Sequence, residues 1–349
     1  MPDDSRAPGT ESEADFEPEP KPKSDTTIPH PARIWNYRLG HWEEAVTGPA
    51  RSADGDLELA PPELVHASPH LLRVVLGARL RQLREGQRID RKRAADMIRG
   101  SDSKISRLEN GRIGHKFRDV ADLLTLYGVT DEPERETLLA LVRRASQPLW
   151  WQDYRDVVPG WFETYLSLEQ DAQVIRLYEP CHIPGLLQTA DYARAVIRHG
   201  YPDAPADEID RRVSLRMHRQ HVVGARPTGP AQIWAVLDEA ALRRPAGSAA
   251  TMRAQLRHLL SMAERPHARI FVVPFSAGQV GAVGSPVSIL RFPGQLISDV
   301  VYIEYLTQAT YPETPAEIGH YWHLMNTLAT HALSAADTMK FVRQILSDA

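Results

Sequence analysis

Cysteine is nearly missing from this sequence of 349 residues, in which Cys181 is the single thiol. One thiol cannot form an internal disulfide or supply the thiolates of a cysteine-based zinc site. Long apolar runs are also lacking, because stretches such as I-F-V-V-P-F fall far short of the roughly 20 residues of a transmembrane helix. The N-terminus is acidic and rich in proline, unlike a secretory signal. These absences predict a cytoplasmic protein without a membrane partner.

Signatures of catalysis are scarce as well. Cys181 and His182 are neighbours in the sequence, but a catalytic pair needs adjacency in space. The run G-Q-V-G-A-V-G from Gly278 leads into another strand rather than a helix, so we interpret it as a flexible hairpin connection and not as a dinucleotide loop. Two histidine pairs have i, i+3 spacing without an H-E-x-x-H pattern and are interpreted as surface residues: His218 with His221, and His320 with His323. We expect no catalytic residue, no metal site and no cofactor, and therefore not an enzyme.

Charge, by contrast, is plentiful and unevenly distributed. The net charge of −4 divides into three parts. Residues 1–67 carry six basic and fourteen acidic side chains, a net −8; residues 68–118 carry fourteen and five, a net +9; residues 119–349 carry twenty-one and twenty-six, a net −5. Attraction to phosphates acts over a Debye length of about 10 Å, so the local charge matters more than the total. The basic block suits a polyanionic partner.

Two short helices are predicted inside this basic block. In S-D-S-K-I-S-R-L-E-N-G, Ser101 is a favourable N-cap and Gly111 a favourable stop. Apolar residues three apart face a core, which leaves a polar, basic face outward. The preceding D-R-K-R-A-A-D-M-I, capped by Asp90, predicts another short helix whose apolar residues, Met97 among them, face the core. Two short helices joined by three or four residues form a helix-turn-helix.

This segment resembles the phage-repressor, or xenobiotic-response-element, type of helix-turn-helix, and S-x-S-K-I-S-R-L-E-N-G is its best-matched part. The resemblance implies that the second helix lies in the major groove of double-stranded DNA. The residues it places towards base edges are Asp102, Ser103, Lys104, Ser106 and Arg107. Those it places towards phosphates are Arg91, Arg112 and Lys116. It also implies a structural ion pair between Arg84 and Glu109.

The turn between the two helices departs from the family pattern. The family usually has glycine where this chain has Arg99, followed by Gly100. A left-handed conformation is costly for arginine, and a turn shifted by one residue would avoid the cost. The alternative to DNA binding is an amphipathic helical hairpin that binds nothing, which the motif match and the basic charge disfavour.

The chain is predicted to be a multi-domain protein. Residues 1–67 form an acidic, proline-rich extension predicted to be disordered; its aromatic stretch Ile34–Val46 is either a docking segment or part of a dispensable extension. Residues 68–147 form an all-α, five-helix helix-turn-helix domain, whose first helix repeats leucine from Leu72 and ends near Gly86. The aromatic-rich stretch after Gln147 is acidic overall, so core between the domains is favoured over base stacking.

Residues 148–349 are predicted to form an α+β domain. Strand-like runs occupy 174–178, 232–237, 269–275, 285–292 and 299–305, and the last three suggest an antiparallel meander. Helical runs occupy 186–198, 206–222, 248–264 and 315–346. E-P-C-H-I-P-G-L-L-Q-T-A-D-Y-A-R-A-V and V-V-P-F resemble the C-terminal domain of unknown function found behind such helix-turn-helix units in actinobacterial regulators, which are described as antitoxin-like. That resemblance does not imply an activity.

The P-G-L-L-Q-T-A-D-Y segment is the candidate contact for a ligand or partner in this second domain. It packs internally or lines a pocket or partner groove, and its candidate residues are Leu186, Leu187, Gln188 and Tyr192. The leading hypothesis is a sequence-specific transcriptional regulator that binds DNA as a homodimer and senses a partner protein or ligand. The alternative is an antitoxin-like protein that binds a small protein from a neighbouring gene and autoregulates its operon.

Overall fold

A computed structural model describes residues 64–281 and 284–348. The expectations of disorder over residues 1–67 and of an aromatic docking segment lie outside the described residues as far as residue 63. The end of that extension is ordered, since Leu64 is buried and its carbonyl oxygen accepts from Arg144 Nη2 at 2.6 Å. None of the described helices combines the length and the apolar character that crossing a lipid bilayer requires.

The first folded region is all-helical, as predicted. Its helices are α1 (Pro69–Gly86), α2 (Arg91–Met97), α3 (Asp102–Glu109), α4 (Phe117–Leu126) and α5 (Glu132–Ala145). Ser68, Asp90, Ser101 and Asp131 each accept a hydrogen bond from a backbone amide in the first turn of the helix that follows. These caps satisfy donors that would otherwise be orphaned, which explains why such short helices begin where they do.

The turn between α2 and α3 is not shifted, because Arg99 adopts the left-handed conformation with φ 49°. The reason is the end of α2: the Arg99 amide donates to Asp96 O at 3.2 Å and the Gly100 amide to Ala95 O at 2.8 Å. These two bonds close a Schellman motif, whose geometry requires the left-handed residue. Met97 is another correction, since its side chain is 41% exposed although we expected it in the core.

The second region is an α+β domain, also as predicted. Its sheet contains β1 (Val174–Glu179), β2 (Gln232–Asp238), β3 (Ala268–Val273), β4 (Val287–Arg291), β5 (Val300–Glu304) and β6 (Ala309–Thr310). Its helices are α6 (Gly160–Glu169), α7 (Ala190–Gly200), α8 (Ala206–Gly224), α9 (Glu239–Arg243), α10 (Ala249–Ala263), α11 (Pro315–His331) and α12 (Ala335–Asp348). Short 3₁₀ helices lie at Trp150–Tyr154, Gly185–Leu187, Phe275–Gly281 and Pro293–Gln295.

The predicted meander of the last three long strands is wrong. The strand order is β3-β2-β1-β4-β5-β6; β1, β2 and β3 pair in parallel, and the remaining neighbours pair antiparallel. The connection that contains Gly278 therefore links an edge strand to the far side of β1 and is not a hairpin. It forms the 3₁₀ helix Phe275–Gly281. The antiparallel meander that does exist runs through β4, β5 and the short β6.

The two faces of the sheet pack against different helices. Tyr178, Phe271 and Ile303 share a core cluster with Met325 and Leu328 of α11. Alternate residues of the same strands join a larger cluster with α10 and α12 that continues into the helical region. The predicted helical run 315–346 is divided between α11 and α12, which are separated by residues 332–334.

The two regions meet at the start of α1. The Ser68 amide donates to Asp171 Oδ1 at 2.9 Å, and the Ser68 hydroxyl donates to the other carboxylate oxygen. Burial raises the pKa of Asp171 to about 6. Nearby, Trp151 and Tyr165 of the aromatic-rich stretch are buried, in keeping with a role as core.

Candidate DNA interface and ligand cleft

The helix α3 is seated directly on the backbone of α1. A Cβ added at Gly77 would lie 2.6 Å from the carbonyl oxygens of both Leu108 and Glu109, so the approach requires glycine. Ile105 and Leu108, on the inner face of α3, are buried. Because Gly77 has no side chain, α3 can pack close to the backbone of α1. This distance between the two helices determines how far the outer face of α3 extends from the domain.

The pair Arg84–Glu109, which the sequence suggested, lies in contact and is buried. Arg84 Nε donates to Glu109 Oε1 at 2.6 Å and Nη2 donates to Oε2 at 3.0 Å. Arg84 Nη1 also donates to Ile89 O at 2.8 Å. The hydrogen bonding that Arg84 donates to Glu109 is the largest cause of a raised pKa for Arg84. This bidentate contact ties α1, α3 and the entry to α2 together.

The five candidate base-reading residues differ in their exposure to solvent and in the contacts they make within the protein. Asp102, Ser103 and Arg107 are exposed on the outer face of α3, whereas Lys104 and Ser106 are half-buried. Lys104 Nζ lies 2.7 Å from Asp119 Oδ2 of α4. Arg107 Nε donates to Ser103 O at 3.3 Å, and its guanidinium remains exposed.

The three candidate phosphate contacts surround the same face. Arg91 Nε lies 3.4 Å from Asp102 Oδ1, and both side chains are exposed. Lys116 is exposed at the N-cap of α4. Arg112 forms an ion pair with Glu313, which belongs to the second domain. Sequence reasoning missed this partner because the two residues are far apart in the chain.

A buried histidine lies behind this surface. His115 is 3% exposed, and burial, followed by the positive charge of Arg73, lowers its pKa to about 4. His70 has the same two causes and a similarly lowered pKa of about 4. Both imidazoles are therefore neutral at pH 7.

The second domain contains a cleft of about 250 Å³ between α6, α8 and the ends of β1 and β5. Two arginines of α8 enter it. Arg219 makes a bidentate ion pair with Glu169, at 2.5 and 2.7 Å. Arg216 Nη1 instead donates to the neutral amide oxygen Gln188 Oε1 at 2.7 Å. Burial and then the charge of Arg219 lower the pKa of Arg216 to about 10.

Carboxylates and aromatic rings complete the cleft. Glu179 ends β1 and Glu304 ends β5, and both line the cavity. Burial raises the pKa of Glu179 to about 8, with the neighbouring Glu304 charge as the next cause. Tyr165 stands 4.3 Å from Tyr302 between ring centroids, and Phe162 stacks on Tyr165 at 5.5 Å.

The structure separates the four candidate ligand residues of the second domain. Gln188 lines the cleft and donates to Ile183 O at 2.6 Å while it accepts from Arg216. Leu186, Leu187 and Tyr192 are buried in the core, and the helix begins at Ala190 rather than at Leu186. Sequence reasoning missed Arg216, Arg219 and Glu179; the i, i+3 spacing of the two arginines on one helix was the signal that could have suggested this site.

A chain of contacts joins the cleft to the helical region. Tyr302 and Tyr311 have ring centroids 5.3 Å apart, and Tyr311 Oη donates to Trp161 O at 3.0 Å. Two residues beyond Tyr311, Glu313 reaches Arg112. One short segment thus contacts both the cleft wall and the edge of the α3 surface.

Comparison with known families gives two matches. A domain of unknown function (DUF5753) matches residues 162–344, and a helix-turn-helix domain matches residues 75–138. No curated protein and no solved structure matches the chain. The first match spans more than half of the chain and contains most of the residues that line the cleft, while the second contains α2, α3 and the turn between them. The chain therefore belongs to the DUF5753 family and carries a helix-turn-helix domain in front of its family domain.

Proposed function

We propose that this protein is a sequence-specific, DNA-binding transcriptional regulator of the xenobiotic-response-element type, that it works in the cytoplasm and that it is not an enzyme. The observation that carries the proposal is α3, a short capped helix fixed from behind by Gly77 and by the Arg84–Glu109 pair. Its exposed outer face lies within a block of net charge +9. A rigid helix with a polar, basic face is what major-groove reading requires.

Within this proposal Arg107 has the leading reading role. Its exposed guanidinium offers two parallel donors, which match the O6 and N7 acceptors of guanine. Lys104 is held by Asp119, so it contributes to reading only if that contact opens. Arg91, Arg112 and Lys116 position the helix on the phosphates.

A homodimer fits this mode of binding, because two copies of such a helix read half-sites about 34 Å apart on one side of the duplex. The effector of the regulator acts through the second domain, either as a ligand or as a small partner protein.

The rival function is an antitoxin-like interaction protein whose DNA binding serves autoregulation. The observation that favours it is an apolar tip between β5 and β6, where Leu306 is 95% exposed and Tyr305 43% exposed. Two adjacent apolar side chains exposed at one hairpin tip are available for contact with a partner protein. Co-elution of the protein with the product of an adjacent gene, and its loss in Leu306→Asp, would favour this function.

The proposed function is tested on DNA sites selected from a random pool by the full-length protein. Arg107→Ala is expected to cost about 1 to 3 kcal/mol at one base position of each half-site and to relax preference there. Lys116→Ala is the matched comparison: it is expected to weaken all sequences alike and to lower the salt slope by about one. Failure to select any sequence, or unchanged relative affinities for Arg107→Ala over a mismatch panel, would refute the assigned surface.

A further inference from the structure

The cleft of the second domain holds an arginine and a glutamate that do not form an ion pair with each other. Among the residues that the structure describes, Arg216 has a neutral amide as its partner and no carboxylate in ion-pair contact. Glu179 lines the same cavity and likewise forms no ion pair within the described part of the chain. Withdrawing a charge from water without a counter-ion is unfavourable, so an arginine and a glutamate that line one cavity without an ionic partner are each left uncompensated. The space between them is suited to a group that satisfies both.

The other charged residues of the cleft limit the kind of ligand that can bind. Arg219 is already neutralised by Glu169. Arg212, which also lines the cleft, is paired with Glu208. Among the lining arginines that the structure describes, Arg216 is the one without a carboxylate partner, and the carboxyl groups of Glu179 and Glu304 line the same cavity. A phosphate or another pure anion would gain one arginine and meet two acidic groups, and a pure cation would meet Arg216. A ligand with one anionic and one cationic group suits the arrangement better than either.

The size and the lining of the cleft limit the kind of ligand further. A volume of about 250 Å³ is below the roughly 300 to 1,000 Å³ of pockets for drug-sized ligands, so the cleft suits a small ligand. The rest of the lining includes the aromatic rings of Phe162, Tyr165 and Tyr302 and the aliphatic side chains of Ile197 and Leu215, along with polar groups such as His182 and Ser288. These dimensions fit a metabolite with a single ring or a branched aliphatic group.

We propose that this cleft binds a free amino acid with an aromatic or large aliphatic side chain. The carboxylate of the amino acid pairs with Arg216, its ammonium group pairs with Glu179 and Glu304, and its side chain packs on the aromatic wall. This assigns a ligand class to the sensing role within the proposed function and rests on that function for its biological consequence, although the binding itself does not involve DNA.

Calorimetry on the full-length protein tests the proposal with phenylalanine, tyrosine, leucine, isoleucine and methionine as probes. At least one is expected to bind with Kd of about 1 mM or tighter. For phenylalanine, two matched analogues each lack one charge: 3-phenylpropionate has no ammonium and phenethylamine has no carboxylate. Both are expected to bind at least about tenfold more weakly, since the first leaves Glu179 and the second leaves Arg216 without a partner. For an aliphatic ligand, the corresponding carboxylic acid and amine are used as the analogues.

Variants locate the site. Arg216→Gln and Glu179→Gln are each expected to weaken the bound amino acid by at least about tenfold. Arg211→Gln, an exposed arginine of the same helix paired with Asp156 outside the cleft, is the control and is expected to leave affinity unchanged. Melting temperatures without ligand show whether each variant folds.

Three results would overturn the proposal: no heat from any of the five amino acids at about 10 mM, equal binding of the one-charge analogues, or wild-type affinity in Arg216→Gln. Selection of DNA sites is scored separately. A protein that binds an amino acid but selects no DNA would refute the proposed function and leave the ligand assignment intact. A protein that selects DNA but binds no amino acid would refute the ligand assignment and leave the proposed function intact.

Discussion

Arg84 of the helix-turn-helix region and Arg216 of the second domain are both withdrawn from bulk solvent, and they differ in what neutralises them. Arg84 has two bonds to Glu109 and one to a backbone carbonyl, and its pKa is raised. Arg216 has one bond to a neutral amide, and its pKa is lowered to about 10. The same side chain is thus structural where the chain supplies the counter-ion and available for recognition where the chain does not.

The largest effect is expected from removing the counter-ion of Arg84. Glu109→Ala leaves a buried guanidinium uncompensated and should lower the free energy of unfolding by about 3 to 5 kcal/mol. Glu85→Ala is the control, because Glu85 also touches Arg84, at 3.3 Å, but is 52% exposed and should cost less than about 1 kcal/mol. Urea unfolding of the full chain measures both. Equal losses would mean that burial of the pair contributes nothing.

Two buried groups, His115 in the helical region and Glu179 in the second domain, should also contribute to the pH dependence of stability with opposite signs. The folded pKa of His115 is about 4, below its unfolded value of 6.5, so the folded state binds fewer protons between these values. Stability is therefore full above pH 6.5 and falls towards pH 4, by about 2 to 3 kcal/mol for this residue. His115→Leu should flatten that part of the unfolding profile.

Glu179 provides the contrast within the pH comparison. Its folded pKa of about 8 exceeds the ordinary value of 4.5, so its stabilising contribution is present at low pH and is lost as the pH rises through 8. Between pH 4.5 and 8 the unfolded state is ionised at this residue while the folded state is protonated, so Glu179→Gln should remove a decline in stability over that interval and leave stability below pH 4.5 unchanged. Urea unfolding at pH 4.5, 7 and 9 distinguishes the two variants, and identical profiles in both would contradict the assignment.

Gly77→Ala should have the next largest effect. The new methyl group would lie 2.6 Å from two backbone carbonyl oxygens of α3, so the helix must move, at a cost of about 1 to 3 kcal/mol. Gly86→Ala provides the control in the same helix, because nothing lies within 4 Å of its added Cβ. That change should be neutral or stabilise by up to about 1 kcal/mol. Thermal unfolding of the two variants is the measurement; matching melting temperatures would rule out the tight contact.

The smallest effect on stability is expected at Arg216. Arg216→Met removes a charge that has no ionic partner among the described residues and keeps the apolar stem, so stability should change by less than about 1 kcal/mol. Arg84→Met, the same substitution at a paired arginine, should cost about 3 to 5 kcal/mol. A large loss in Arg216→Met would show that this arginine is structural too, and the distinction between the two regions would disappear.

Local chemistry in the sequence predicted much of the helical region. Ser101 and Asp90 cap helices through groups two or three residues away, so their roles can be inferred from neighbours in the chain. The left-handed conformation of Arg99 was harder to predict, because its cost is outweighed by the hydrogen bonds that close α2. Gly77 carried no signal, since its importance comes from a helix that lies far along the chain.

The second domain was predicted only in its class. Alternating apolar runs located β1 to β5, but pairing between strands is non-local, so the position of β3 beside β2 could not be inferred from short connections. The cleft depends on the same long-range order: β1, β5, α6 and α8 each contribute side chains, and the sheet brings them together.

The contact between Arg112 and Glu313 has a thermodynamic consequence for a protein that binds DNA. A phosphate that takes Arg112 must displace Glu313, so the nucleic acid and the second domain compete for one guanidinium. Coupling between binding events is reciprocal, so whatever tightens the Glu313 contact weakens DNA binding by the same factor by which DNA loosens that contact. Because both side chains are largely exposed, the coupling is limited to about 1 kcal/mol, roughly fivefold in affinity. The contact would therefore attenuate binding in a graded way and would not act as a switch.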